Sequence, residues 1–252
     1  MSCDHGHLRR RAVPGLVLLA VVTAGSLLHA TVLLQADFEN QTVGQPVGTR
    51  GAAYGEPAWV NQFCHDVIRD DVSGSLSLEM FDGETAPLAM GMARFDLPDT
   101  TGLGSATVVF ALDLHPREAD DWFVLVTELA DADNGAGFQF CKLIFHSDGR
   151  ITVTDQAHTA ETTIGSYAVD TPLHLELEFD HPGGTYTVRL DGEVALADRG
   201  NGAAGLAVGS LWLGMSFDED LLGVYDVDDL VVSSATVPVD RTSWGEVKAR
   251  YR

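Results

Sequence analysis

Residues 172–195 constrain the fold more than any other stretch of this chain. Leu173, Leu175, Leu177 and Phe179 alternate with His174, Glu176, Glu178 and Asp180. A period of two sends one set of side chains to a buried face and the other into water, the pattern of a half-buried β-strand. His181-Pro182-Gly183-Gly184 interrupts the pattern, a second strand follows, and Asp191-Gly192 ends it with a residue pair that tolerates the positive φ of a tight hairpin turn. The same run carries three carboxylates, Glu176, Glu178 and Asp180, at spacings that place them on one strand face.

The rest of the chain repeats the theme. No segment carries a sustained 3.6-residue apolar period. Strand-like runs recur from 36–39 to 224–233, separated by Gly, Asp, Asn and Pro clusters. Val108-Val109-Phe110-Ala111-Leu112 and Trp122-Phe123-Val124-Leu125-Val126 are apolar on both parities. Such strands belong in the middle of a sandwich, covered on both sides or lining a groove. Ser147-Asp148-Gly149 reads as a second hairpin turn. So many short strands predict an all-β fold, two packed antiparallel sheets in a jelly-roll sandwich over residues 36–235. The Gly-rich residues 41–56 are expected to wrap one end of it. Residues 236–252 form a tail that is either a frayed terminus or a short helix capped by Ser243, with Trp244, Val247 and Tyr251 on one side.

The first 30 residues read as an export signal. Arg9, Arg10 and Arg11 precede an uncharged apolar run, and cleavage fits after Ala30 or, later, Ala36. The run to Leu34 is also long enough for an uncleaved membrane anchor. The expected location is outside the cytoplasm: secreted, at the cell surface or periplasmic. Loss of residues 1–30 removes three arginines and Asp4, leaving 12 basic against 36 acidic residues. A surface so acidic repels nucleic acid, which is excluded as a partner. Of the three cysteines, Cys3 leaves with the signal. Cys64 and Cys141 are then either a disulfide, as an oxidising compartment permits, or two separate buried thiols.

The stretch from Pro172 to Asp180, with Gly184-Thr185-Tyr186-Thr187-Val188-Arg189-Leu190-Asp191-Gly192-Glu193, resembles the penultimate hairpin of laminin-G-like domains, members of the concanavalin A-like lectin and glucanase superfamily. Ala36-Asp37-Phe38-Glu39-Asn40 with Val43-Gly44 resembles the opening strand of bacterial members, and Val224-Tyr225-Asp226-Val227-Asp228-Asp229-Leu230-Val231-Val232 their closing strand. The resemblance implies a jelly roll whose first and last strands lie side by side. It also implies a structural calcium there, held by Glu39 and Asp229 with Asp37 and Asp228 as neighbours. Calcium takes six to eight oxygens, so backbone carbonyls would complete that shell.

Several constellations carry chemical possibilities. Glycoside hydrolases of the resembled superfamily use a carboxylate row like Glu176, Glu178, Asp180. Here the middle residue is Glu and the last is Asp, and an ordinary solvent face explains the row equally. Asp131-Ala132-Asp133-Asn134-Gly135 reads as a hairpin turn or the start of a calcium loop. Trp212 shares a strand parity with Gly214 and Ser216, opposite Leu211, Leu213, Met215 and Phe217, which points its ring away from the core. Trp122 is a second candidate for stacking on a sugar, with Trp59, Tyr54 and Tyr167 behind it. The tail holds Arg241, Lys248, Arg250 and Arg252, a basic segment suited to docking on the acidic body, a second copy or a sorting machine. No nucleophile elbow, phosphate loop, zinc spacing or dinucleotide fingerprint occurs. The expected function is a carbohydrate-binding module for a polysaccharide or surface glycan. The alternatives are a self-associating adhesive surface protein and a glycoside hydrolase or polysaccharide lyase.

Overall fold

The computed structural model describes residues 30–60, 64–69, 75–81, 91–128, 138–154, 160–215 and 223–236. The segment expected to be an export signal, up to residue 29, lies outside the described residues, as do Asp131 to Gly135, Ser216, Phe217 and the tail from Val237. The strands are β1 (Thr31–Ala36), β2 (Trp59–Val60), β3 (Cys64–Arg69), β4 (Leu76–Phe81), β5 (Met92–Asp96), β6 (Ala106–Pro116), β7 (Trp122–Thr127) and β8 (Gln139–Phe145). They continue with β9 (Arg150–Thr154), β10 (Glu161–Ser166), β11 (Leu173–Asp180), β12 (Thr185–Leu190), β13 (Glu193–Gly200), β14 (Ser210–Met215) and β15 (Val224–Thr236). The first sheet runs β13-β12-β11-β6-β15-β4-β3, with β1 added to β15; the second runs β10-β9-β8-β7-β14-β5-β2. All pairings are antiparallel. The expected all-β two-sheet sandwich is the observed architecture.

The alternation in β11 sets the first sheet. Leu173, Leu175, Leu177 and Phe179 are buried, while His174 and Asp180 are exposed. Leu177 stands opposite Phe110 on β6 and Val188 on β12, so one apolar rank runs across three strands. Asp191 and Gly192 take φ of 50° and 80°, both left-handed, closing the β12–β13 hairpin at Leu190 and Glu193. The doubly apolar β6 and β7 occupy interior positions of their sheets, as their composition requires.

The two sheets meet through large side chains. Trp122 of β7 is 1% exposed and stacks between Phe145 of β8, at 3.6 Å, and Tyr225 of β15, at 4.5 Å. Phe110, Phe140 and Phe179 pack edge to face elsewhere in the core. The segment between β1 and β2 is fixed by Glu56, whose buried carboxylate pairs with the Arg50 guanidinium and accepts hydrogen bonds from the Arg50 amide (2.8 Å) and Gln41 Nε2 (2.9 Å). The Arg50 contact holds the Glu56 carboxyl down at about 2.

Three elements differ from the sequence expectation. The first strand is Thr31–Ala36 rather than 36–39, because its apolar residues merge in sequence with the apolar run that precedes them. β3 was not expected, since Cys64-His65-Asp66-Val67-Ile68-Arg69 has no clean alternation and is held as an edge strand by its ladder to β4. β10 covers Glu161–Ser166 instead of 164–169, an exposed edge with little apolar content. The Cys64–Cys141 bond is absent. Cys141 is a free buried thiol on β8, bonded to Tyr186 of β12 and pushed up to about 12 by burial. In the first sheet β12 is five strands from β3, about 24 Å, far beyond disulfide reach. The Cys64 side chain lies outside the described residues.

Candidate functional site

The acidic ladder lies on the outer face of the first sheet. Glu176 stands opposite Arg189 of β12, whose Nε lies 3.0 Å from Glu176 Oε1 and whose Nη2 lies 3.3 Å from Glu178 Oε2. One guanidinium thus spans two of the three carboxylates. Asp180, exposed at the strand end, folds against Gly183, where a Cβ would come within 2.2 Å of its Oδ2. Beside the ladder, His174 pairs with Asp113 of β6. These groups form a partly exposed, charge-compensated surface.

The two ends of the domain do meet. β15 pairs with β6 along one side; on its other side it pairs first with β4 and then, past a bulge at Asp229 (φ 48°), with β1. At that junction Glu39 Oε1 accepts from the Leu76 amide (2.7 Å) and lies 2.9 Å from Ser75 Oγ, which is 3.0 Å from Asp228 Oδ2. Burial, with Asp229 and Glu39 adding to it, raises the Asp228 carboxyl to about 6. Asp37 Oδ1 instead accepts the Glu39 amide at 3.3 Å, and Asp229 is exposed. Two carboxylates joined by one hydroxyl fall short of a calcium shell, and among the described residues no group of three or more His, Cys, Asp or Glu could hold a metal. Of the expected ligand set, Glu39 and Asp228 are joined through Ser75, while Asp37 turns to the Glu39 amide and Asp229 to solvent.

The outer face of the second sheet has a different character. Register places Lys142 (β8), Leu125 (β7), Trp212 (β14), Arg94 (β5) and Trp59 (β2) directly opposite one another in one cross-strand rank. At a strand spacing of about 4.8 Å, this rank is about 19 Å long. An apolar rank lies on one side, Ile144, Phe123, Gly214 and Met92, and a polar one on the other, Gln139, Thr127, Ser210 and Asp96. Trp59 and Trp212 lie with ring centroids 6.1 Å apart, tilted by 55°. The Arg94 guanidinium sits 5.2 Å from the Trp212 ring centroid, and its Nε is 3.0 Å from Asp96 Oδ1, which also accepts from Ser210 Oγ at 2.8 Å. Lys142 Nζ lies 5.1 Å above Phe123, whose ring covers Gly214 so closely that a Cβ there would approach it to 2.5 Å. Trp212 Nε1 and Gln139 Oε1 are buried and make no hydrogen bond among the described residues.

Trp212 is thus on the outer face that its parity predicts, and half-buried. It does not share a sheet with Glu176 and Glu178. Trp122 is not a binding residue: its ring is sealed in the core, because its parity matches Val124 and Val126, which point inward. Trp59, at 40% exposure, completes the aromatic pair instead. Tyr54 lies under Arg50, and Tyr167 donates to the His146 carbonyl (2.8 Å), so both serve local structure. Arg94 and Lys142 went unnoticed in the sequence. Each alternates with inward residues as Trp212 does, yet only strand order and register bring them into one rank.

No protein-family model and no curated protein sequence matches the chain. Among solved structures it is similar to a carbohydrate esterase of a Shiga toxin-encoding bacteriophage (TM-score 0.53, 10% identity, 82% of this chain and 100% of that one). It is also similar to alginate lyase A1-II′ of polysaccharide lyase family 7 (TM-score 0.51, 14% identity, 83% and 96%). A third is botulinum neurotoxin type C, whose cell entry depends on two ganglioside molecules (TM-score 0.51, 9% identity, 88% of this chain); this chain spans 51% of it. At these identities the likeness establishes the sandwich fold.

Proposed function

We propose that this chain is a secreted, laminin-G-like carbohydrate-binding module that lays a polysaccharide or surface glycan across the outer face of its second sheet. The observation that carries this reading is the rank Lys142–Leu125–Trp212–Arg94–Trp59. It offers two tilted indole rings, flanked by polar groups on one side and apolar ones on the other, which is the mix of surfaces a sugar ring needs. Proteins that share its fold act on or engage carbohydrates, in agreement with this reading. No catalytic step is placed on Glu176, Glu178 or Asp180, because Arg189 compensates two of them and the third caps a turn. Export is part of the proposal, with the signal cut after Ala30: a cut after Ala36 would delete β1, whose Leu34 and Ala36 are buried. Glycan-array screening followed by titration calorimetry tests the binding. A glycan should bind, and Trp212→Ala should weaken it at least about tenfold, a loss in line with removing a buried aromatic anchor. Failure of the folded protein to bind any glycan overturns the reading.

A further inference from the structure

The chain carries a net charge of −22, yet the central rank of this face holds two cations, Arg94 and Lys142, three strand spacings apart, or about 14 Å. Among the described residues of the three ranks between β8 and β2, the carboxylate is Asp96, already engaged by Arg94 and Ser210. Lys142 makes no ion pair among the described residues. Its ammonium is half-buried over Phe123, and burial lowers its pKa, with Glu161 the carboxylate that acts against that shift. Holding an ammonium partly out of water costs free energy that a nearby anion offsets. A neutral apolar side chain would cover Phe123 at no such cost. An anion brought by the ligand would lie against Lys142 and offset that cost. Arg94 is set for the same role, with its guanidinium against Trp212 and a planar fork that matches an anionic group.

We infer that the ligand of this face is an acidic polysaccharide, whose sugar rings stack on Trp212 and Trp59 while its anionic groups reach Lys142 and Arg94. This inference rests on the glycan-binding reading above and narrows it to a charge class. Carboxylate and sulfate groups share the required chemistry, and the test separates them. The full secreted chain is titrated with polygalacturonate as the carboxylate probe, dextran sulfate as the sulfate probe and unmodified dextran as the neutral one. The same titrations are run on Lys142→Gln, Lys142→Arg and Trp212→Ala, each first shown to be folded by its thermal transition. One or both anionic polymers should bind at least about tenfold more tightly than dextran, with the tighter one naming the group. Lys142→Gln should lose about that factor and Lys142→Arg should retain most of it. Lys142→Gln should not lower the thermal midpoint, because it removes a desolvated charge. The inference is overturned alone if dextran binds as well as the charged polymers through a Trp212-dependent contact, or if Lys142→Gln binds the anionic polymers unchanged. Absence of binding to all three polymers, and to every glycan of the array, overturns the glycan reading with it.

Discussion

Single side chains in this sandwich show how burial rewrites chemistry that composition suggests. His181 follows the acidic ladder by one residue, yet its ring is 1% exposed, parallel to Phe179 and edge-on to Phe140. Its Nε2 accepts from the Val208 amide at 3.4 Å. Burial pushes its pKa down to about 4 against the pull of Asp180. The unfolded chain takes up this proton near the ordinary histidine value of 6.5, and the folded chain holds out to about 4. Stability is therefore intact above 6.5 and falls as the pH drops from 6.5 toward 4, by up to about 3 kcal/mol. His181→Phe should keep the ring packing and lose about 1 kcal/mol at neutral pH with the Val208 bond. Urea denaturation at several pH values should show a flatter stability profile between 6.5 and 4 for the variant than for the parent. Equal slopes would place the acid sensitivity elsewhere.

Among the elements, β1 matters more than its six residues suggest. It continues the line of β4 on one side of β15, and the bulge at Asp229 divides the two pairings. Glu39, just past β1, reaches the Ser75 hydroxyl and the Leu76 amide at the start of β4, tying the end of one strand to the beginning of the other. A chain begun at Asp37 instead of Thr31 loses the Leu34 and Ala36 contacts and exposes the β15 edge. It should be less stable by at least about 3 kcal/mol in denaturant unfolding. Intact mass provides the companion measurement: the proposed cut after Ala30 makes Thr31 the expected first residue.

At the scale of the whole molecule, the sandwich separates two surfaces that look related in sequence. The carboxylate ladder faces out from the first sheet and the aromatic rank from the second, with the core between them and sheets about 10 Å apart. Glu176→Gln and Glu178→Gln should therefore leave glycan affinity within about twofold of the parent, since distant sites act independently. Calorimetry on the double variant checks this, and a loss comparable to that of Trp212→Ala would show that the two faces are coupled. The alternation of β11, the Asp191-Gly192 turn and the two-sided apolar runs of β6 and β7 were readable in the chain, because side-chain parity and turn chemistry are local properties. So was the outward direction of Trp212. Parity was not enough for Trp122, whose strand is apolar on both faces. Nor could a local reading show that Cys64 and Cys141 fall in different sheets, or that Glu39 and Asp228 meet at Ser75. The sequence by itself determined the sandwich and which residues alternate. Only the tertiary structure decided which strands are neighbours and in what register, and that decision placed Lys142, Trp212, Arg94 and Trp59 in one rank. Ladder pairing joins residues far apart in the chain, whereas periodicity reports only on each strand alone.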